Sequence, residues 1–433
     1  DVCSSDLNII TVTRTILQYQ NDLITTMNKL TKLEKYWVLY DVGNSAFVLL
    51  VSTIIPIYFK NLATEAGISL SDSTAYYSYA ISISTLIVAL AGPMLGSIGD
   101  RKGVRKPIFT FFMMMGVLSL AALSIPVGWI VFLAIFIVAK TGFATSLIFY
   151  DSMLVDITTY ERVDQVSSHG YAWGYIGSCI PFTISLLLIL GCDTIGLSTV
   201  MATAIAFIMN ALWWFFITIP LLKNYQQINY TTAKEPIINN LKRVLTSIKN
   251  NKKVLFFLIA FFFYIDGVYT IIEMATSYGK DVGIDDNSLL LALLLTQVVA
   301  FPFSLIFGKL AKKFPVKSLI LSCIIGYFFI AVFALWLDTA WKFWVLAVFV
   351  AVFQGAIQAL SRSYYAQIIP ESQASEYFGI FDIFGKGASF MGTLLMGITT
   401  QITDNSKYGV VVIACMFVIG GIIFKSKCHN QAD

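Results

Sequence analysis

Twelve apolar segments, each near the ~20 residues that an α-helix needs to cross a bilayer, run through the chain. They lie at approximately 36–60, 74–98, 107–126, 129–150, 166–190, 197–221, 254–278, 287–308, 316–337, 342–361, 377–401 and 407–424. Of 433 residues, 57% are hydrophobic and 12% charged, whereas a soluble domain carries about a quarter charged residues. Mean hydropathy is +0.77. The sequence therefore predicts an all-α integral membrane protein.

Two connections repeat. Gly96 to Lys106 reads Gly-Ser-Ile-Gly-Asp-Arg-Lys-Gly-Val-Arg-Lys, a tight basic link in which glycines let the chain reverse. A second copy, Gly-Lys-Leu-Ala-Lys-Lys-Phe-Pro-Val-Lys, opens at Gly308, 212 residues later. An offset of half the chain implies two pseudo-symmetric six-helix bundles. The expected organisation is a bundle at 27–221, a polar cytoplasmic linker at 222–253, a bundle at 254–425 and a cytoplasmic tail at 426–433. Residues 1–26 hold no apolar run long enough to span, and Met27 is a natural start. They are expected to be a non-native or disordered extension, because Val2 to Leu7 resembles translated sequencing-adapter debris.

Lysine and arginine set the orientation. With both termini cytoplasmic, 22 of those after Met27 face the cytoplasm and four (Lys60, Lys280, Lys342, Lys407) face outward. The net charge of +4 thus needs no nucleic-acid partner. Six scattered cysteines without a Cys-x-x-Cys pair argue against a disulfide framework or a metal site, and no cofactor is expected.

The Gly96-x-x-x-Asp100-Arg101-x-Gly103-x-Arg105-Lys106 motif, placed between segments two and three of a twelve-segment chain, resembles the major facilitator superfamily. Three further stretches narrow the resemblance: Tyr40-Asp41-Val42-Gly43-Asn44-Ser45-Ala46-Phe47 with Pro56-Ile57-Tyr58-Phe59; Phe149-Tyr150-Asp151-Ser152 with Ser167 through Gly177; and Gln354-Gly355 through Ser361-Arg362-Ser363 with Phe378-Gly379. Together they are similar to the vacuole-effluxer-like branch, from Met27 to the end of the chain. Fungal members of that branch are regarded as vacuolar amino-acid exporters, and bacterial members mostly lack an assigned substrate. Family members often carry Trp-Ala where Val42-Gly43 stand here. The resemblance implies a multi-pass transporter in the cell membrane that acts as a monomer on a small-molecule substrate. It also implies that Asp100 and Arg101 join an inner gate holding segment two against segment eleven.

Ionisable groups inside a bilayer are costly, so each is a functional candidate. At 1.5 Å per residue, Lys140, Asp266 and Lys386 lie about 16, 18 and 14 Å into their segments, near the midplane. Two lysines and one aspartate leave a positive charge for an anionic or zwitterionic solute, with Asp266 facing an amine or a proton; internal salt bridges are the alternative. Asp382 stands four residues before Lys386, where an intrahelical pair is as natural as a proton relay. Asp41 and Glu273 are further coupling candidates, against a plain interfacial role. Gln297, Gln354 and Gln358 supply neutral hydrogen-bonding groups, and Trp173 an aromatic wall, against ordinary helix packing. Asp100 is expected to meet the free amides near Ser375. In the second copy Lys312 and Lys313 replace Asp-Arg, so the gate is expected to be asymmetric. No nucleotide loop or nucleophile motif is present, which argues against an enzyme, while a sensor or scaffold would tolerate loss of the midplane charges. The expectation is a proton-coupled exporter of an amino-acid-like or organic anionic solute, with export of amphiphilic lipid-like or drug-like molecules as the rival.

Overall fold

The computed structural model describes residues 30–232, 237–281, 286–403 and 406–429, without the side chains of 70–71, 74–75, 237–241, 276–278, 280–281, 286–288, 290, 386–390, 397, 400–401, 406 and 429. The expected extension 1–26 and residues 430–433 of the tail therefore lie outside the described residues. Twelve long helices follow one another: α1 (Lys32–Glu65), α2 (Leu70–Gly99), α3 (Arg105–Ala122), α4 (Trp129–Ser152), α5 (Val163–Leu190), α6 (Thr199–Asn224), α7 (Lys252–Asp281), α8 (Asp286–Leu310), α9 (Val316–Ala334), α10 (Ala340–Ile368), α11 (Ala374–Thr403) and α12 (Ser406–Ile423). Length and hydropathy alone qualify eleven helical stretches as membrane spans, and the 30-residue α11 is the twelfth. Large apolar side chains such as Leu86, Leu90 and Phe216 stay exposed on the outside, as a lipid-facing surface requires.

Local chemistry explains where the helices depart from the apolar runs. A capping box between Thr31 and Glu34 starts α1 at Lys32, before its run begins. The same helix breaks at Thr53, because Pro56 has no N–H to give the Ser52 carbonyl. α10 extends past the expected residue 361 to Ile368, and its polar Ser361, Arg362 and Ser363 are buried rather than placed in a loop. Gly103, at φ 72°, supplies the left-handed residue of the α2–α3 turn.

Helices α1–α6 pack on one another, chiefly α1 on α5 and α6 and α3 on α4, and α7–α12 repeat the pattern with α7 on α11 and α12 and α8 on α10. The two sets meet along α2 with α11 and α5 with α8 and α10. One face of the molecule gathers the start of α1, the α2–α3 and α8–α9 turns and the linker helix Ile237–Asn250. We call it the basic face, for Lys102, Lys242, Arg243, Lys312 and Lys313 are all exposed there. The linker helix buries Val244 and Ile248 against the bundles, and the Tyr377 hydroxyl donates to Ser247 Oγ at 3.1 Å.

Candidate functional site

Glycines bring the bundles together at the basic face. A Cβ on Gly96 would overlap the Ser375 carbonyl and come within 2.8 Å of Glu376 Cα. In the repeat, a Cβ on Gly308 would come within 2.6 Å of Ser168 Cβ, so α8 meets the start of α5 as α2 meets the start of α11. Backbone this close leaves no room for water between the halves.

Asp100 fills that junction. Oδ1 accepts from the Ser375 amide at 2.9 Å and Oδ2 from the Glu376 amide at 2.9 Å, so a carboxylate of one bundle caps a helix of the other. Arg105 Nη2 donates to Asp100 Oδ1 at 2.7 Å, Nη1 to Asp156 Oδ2 at 2.6 Å and Nε to Ser375 Oγ at 2.8 Å, with all three charged groups buried. Two carboxylates face one guanidinium, and the amides at the α11 N-terminus help offset the second charge. The linker then closes over the assembly. Tyr225 donates to Asp156 Oδ2 at 2.5 Å, Asn229 N–H to Asp156 Oδ1 at 2.8 Å, and Thr231 N–H to the Asp100 carbonyl at 2.8 Å. Burial pushes the Tyr225 phenol up, keeping it a neutral donor.

A second cross-bundle cluster lies deeper. Arg362, 3% exposed on α10, donates from Nε to Ser167 Oγ at 3.0 Å, from Nη2 to the Ser167 carbonyl at 3.0 Å, and from Nη1 to Asp151 Oδ1 at 3.0 Å. Its Nη2 also reaches Asp41 Oδ2 at 3.5 Å. The guanidinium stands 4.7 Å from the Trp37 ring and 4.4 Å from the Tyr171 ring. Asp151 and Arg362 are 211 positions apart, the spacing that also separates the starts of α5 and α11. They are therefore equivalent positions of the two repeats, paired with each other where the repeats meet. Above Arg362 on the same helix face, Gln358 Nε2 donates to Tyr175 Oη at 3.1 Å and to the Gln354 carbonyl at 3.0 Å, extending a polar line from α10 to α5.

The candidates read from sequence separate into groups. Asp100, Arg105, Gly96 and Gly103 build the basic-face junction, but the Arg101 side chain is exposed and takes no part in it. The resemblance assigned Arg101 to the gate; the buried cation is Arg105, because the turn at Gly103 returns α3 over the junction and leaves Arg101 in solvent. Asp41 belongs to the Arg362 cluster, and Asp382 lies near enough to Asp151 for their charges to act on each other. Asp266 is not between the halves, as the midplane argument expected. It is buried within the α7–α12 bundle, where depth alone cannot say which way a helix turns a side chain. Gln297 and Gln354 line an apolar cavity in that bundle together with Thr270, Thr296 and Met396. Glu273 is exposed, and Trp173 packs edge-on against Phe301 of α8 at 5.2 Å. Lys140 is half-buried on α4, and the Lys386 side chain lies outside the described residues. Among the described residues no cluster of His, Cys, Asp or Glu could hold a metal ion. Sequence reasoning passed over Arg362, Asp151 and Asp156. Asp151 and Arg362 stand in the quoted motifs, but both fall at the ends of apolar runs and read as loop charges.

Its match to a transporter family and its 46% identity to an MFS-type transporter make this chain a transporter of the major facilitator superfamily, not an enzyme, and its two six-helix sets have that fold. It shares that fold with a structure of the fucose transporter FucP in the outward conformation, at a TM-score of 0.71 and 12% identity, covering 93% of this chain and 98% of that one. The profile of the vacuole effluxer Atg22-like proteins matches residues 31–428, and the chain belongs to that family. The MFS-type transporter YxiO of Bacillus subtilis is 46% identical over 407 residues, spanning 92% of this chain and 95% of YxiO. Autophagy-related protein 22 of Kluyveromyces lactis is 23% identical over 462 residues, spanning 90% and 92%.

Proposed function

We propose that this protein is a secondary active exporter working by alternating access, with the basic face in the cytoplasm of a cell membrane. Its cargo is a small amino-acid-like or organic anionic solute, and protons are the coupling ion. The observation that carries this reading is Arg362. It is an α10 cation held by α1, α4 and α5 of the opposite bundle, on a helix that also carries Gln358 to the Tyr175 hydroxyl of α5. Such a tie closes the basic face in one state and must release it in the other, which is what alternating access needs. Lys140, half-buried on α4, adds a second cation suited to a carboxylate, and Asp382 suits an amine. Family membership supports efflux as the direction.

The apolar cavity rimmed by Gln297 and Gln354 favours a second reading, in which the cargo is an amphiphile with an anionic head. A thermal-shift screen of the purified protein against amino acids, organic anions and lysolipids separates the two, because a ligand that binds the native state raises its apparent stability. A carboxylate-bearing solute that stabilises the parent but not Lys140→Ala supports the first reading. Stabilisation by lysolipids alone moves the cargo to the amphiphile, and stabilisation by none of the three classes contradicts both.

A further inference from the structure

Asp266 sits at the middle of α7 with 0% exposure. Its Oδ1 accepts from the Gly392 amide of α11 at 2.8 Å and from Thr270 Oγ1 at 3.3 Å. Its Oδ2 is equally buried and has no hydrogen-bond partner among the described residues. A Cβ on Gly392 would overlap both Asp266 Oδ1 and Thr270 Oγ1, so the glycine is what lets the carboxyl reach a mid-helix amide. Thr270 and Met396, one turn beyond Gly392, both line the apolar cavity that also holds Thr296 and Gln297. The carboxyl thus lies beside a cavity that carries a few polar groups into an otherwise apolar bundle.

The charges that surround it are few. On α7 itself the other charged groups are Glu273, which acts on Asp266 with the same sign, Lys252 and Lys253 at the start, and Lys280 and Asp281 at the end. α11 offers Glu376 and Asp382 toward the basic face and Lys386, six residues before Gly392. α8, α9, α10 and α12 carry none between Asn287 and Gly308, Ser318 and Leu337, Phe343 and Ser361, and Tyr408 and Phe424. A carboxylate in such a place is expensive, while the neutral acid is not, and one bound proton changes the charge by a full unit. Among the described residues no group of His, Cys, Asp or Glu could hold a metal ion there, whereas a proton needs a single acceptor oxygen.

We propose that Asp266 is the proton-carrying group of this transporter, taking up and releasing one proton per cycle on Oδ2 beside the cavity of the α7–α12 bundle. The proposal rests on the proton coupling put forward above and gives it a site. On uptake an O–H bond forms on Oδ2 with a proton from water. On release the carboxylate returns, and its Oδ1 draws the Gly392 amide more strongly, since a charge-assisted hydrogen bond is about twice as strong as a neutral one. That change acts on α11, the helix whose N-terminus Asp100 holds at the basic face. Occupancy of Asp266 therefore biases the junction that alternating access must open.

Infrared difference spectroscopy of the purified protein, between acid and alkaline buffer, reads the C=O band of a protonated carboxyl without any substrate. The parent is expected to show a band that Asp266→Asn lacks and Glu273→Gln and Lys386→Ala keep. An unchanged band in Asp266→Asn overturns the proposal. Asp266→Glu, which retains a carboxyl, should shift the band instead of removing it, and serves if the Asn variant does not fold. Spin labels on Lys102→Cys and Lys312→Cys give the second readout, the distance across the basic face. In the parent this distance should change with pH, and in Asp266→Asn it should hold its acid value throughout. If it follows pH as in the parent, the coupling to α11 is refuted. Flux indifferent to an imposed pH gradient, with the band and distance effects both present, would leave the proton site standing and overturn proton-driven export.

Discussion

Gly96→Ala is the smallest change that tests whether the α2–α11 junction is a moving contact. The added Cβ would lie 2.7 Å from the Ser375 carbonyl carbon and 2.8 Å from Glu376 Cα, and would overlap the Ser375 oxygen. These are backbone atoms at the first turn of α11, so no rotamer relieves them. Relief requires the helices to separate, which breaks the two amide bonds to Asp100. Overpacking of this kind costs about 1–3 kcal/mol. If the open state parts these helices, the cost falls on the closed state alone and shifts the closed-to-open ratio by roughly 5- to 150-fold. Spin labels on Lys102→Cys and Glu371→Cys, both exposed on opposite sides of the junction, report it. The expected result is a distance distribution moved to longer values, with unfolding temperature changed little relative to the shift. An unaltered distribution would refute the idea that this contact opens and closes, and a protein that merely loses stability would make the contact structural.

Other substitutions distinguish the groups within each cluster. Arg105→Ala leaves two buried carboxylates facing each other and should destabilise the protein by about 3–5 kcal/mol, whereas Arg101→Ala should stay within about 0.5 kcal/mol; thermal unfolding compares them. Arg362→Lys should lose most transport activity, because a lysine cannot fork among Ser167, Asp151 and Asp41, and each charge-assisted bond lost removes about 1.5–3 kcal/mol from the closed state. Gly170→Ala should resemble it, since a Cβ there would overlap Asp41 Oδ2 and approach Arg362 Nη2 to 2.9 Å. Asn229→Ala removes the side-chain bond of the linker to Asp156, made at 3.1 Å. It should loosen the basic face by about 1 kcal/mol, seen as faster amide exchange in residues 225–231.

Much of this was legible in the sequence, for definite reasons. Hydrocarbon forces helices of fixed length, so apolar runs map onto spans, and the 212-residue spacing of Gly96 and Gly308 reappears as the matched contacts of Ser375 and Ser168. Asp100 meeting the α11 amides was readable because an acid and two glycines in a basic turn need a reason beyond topology. Orientation of side chains was not readable. Depth placed Asp266 at the midplane, but only helix packing turns it toward Gly392 rather than toward the other bundle. Arg362 and Asp151 escaped because a charge at the end of an apolar run looks like a loop residue until the helix is seen to continue through it, as α10 does to Ile368. Arg101 and Arg105 look alike in the motif, and the turn at Gly103 decides which of them is buried.

The most direct measurement is efflux from proteoliposomes of the reconstituted protein, loaded with a mixture of amino acids and organic anions and followed by mass spectrometry of released solutes. Orientation-independent loss of one carboxylate-bearing solute, faster with a proton gradient and absent in Arg362→Ala, is the expected outcome. Release no faster than from equally loaded protein-free liposomes, or release by Arg362→Ala at the parent's rate, would contradict transport controlled by the Arg362 tie.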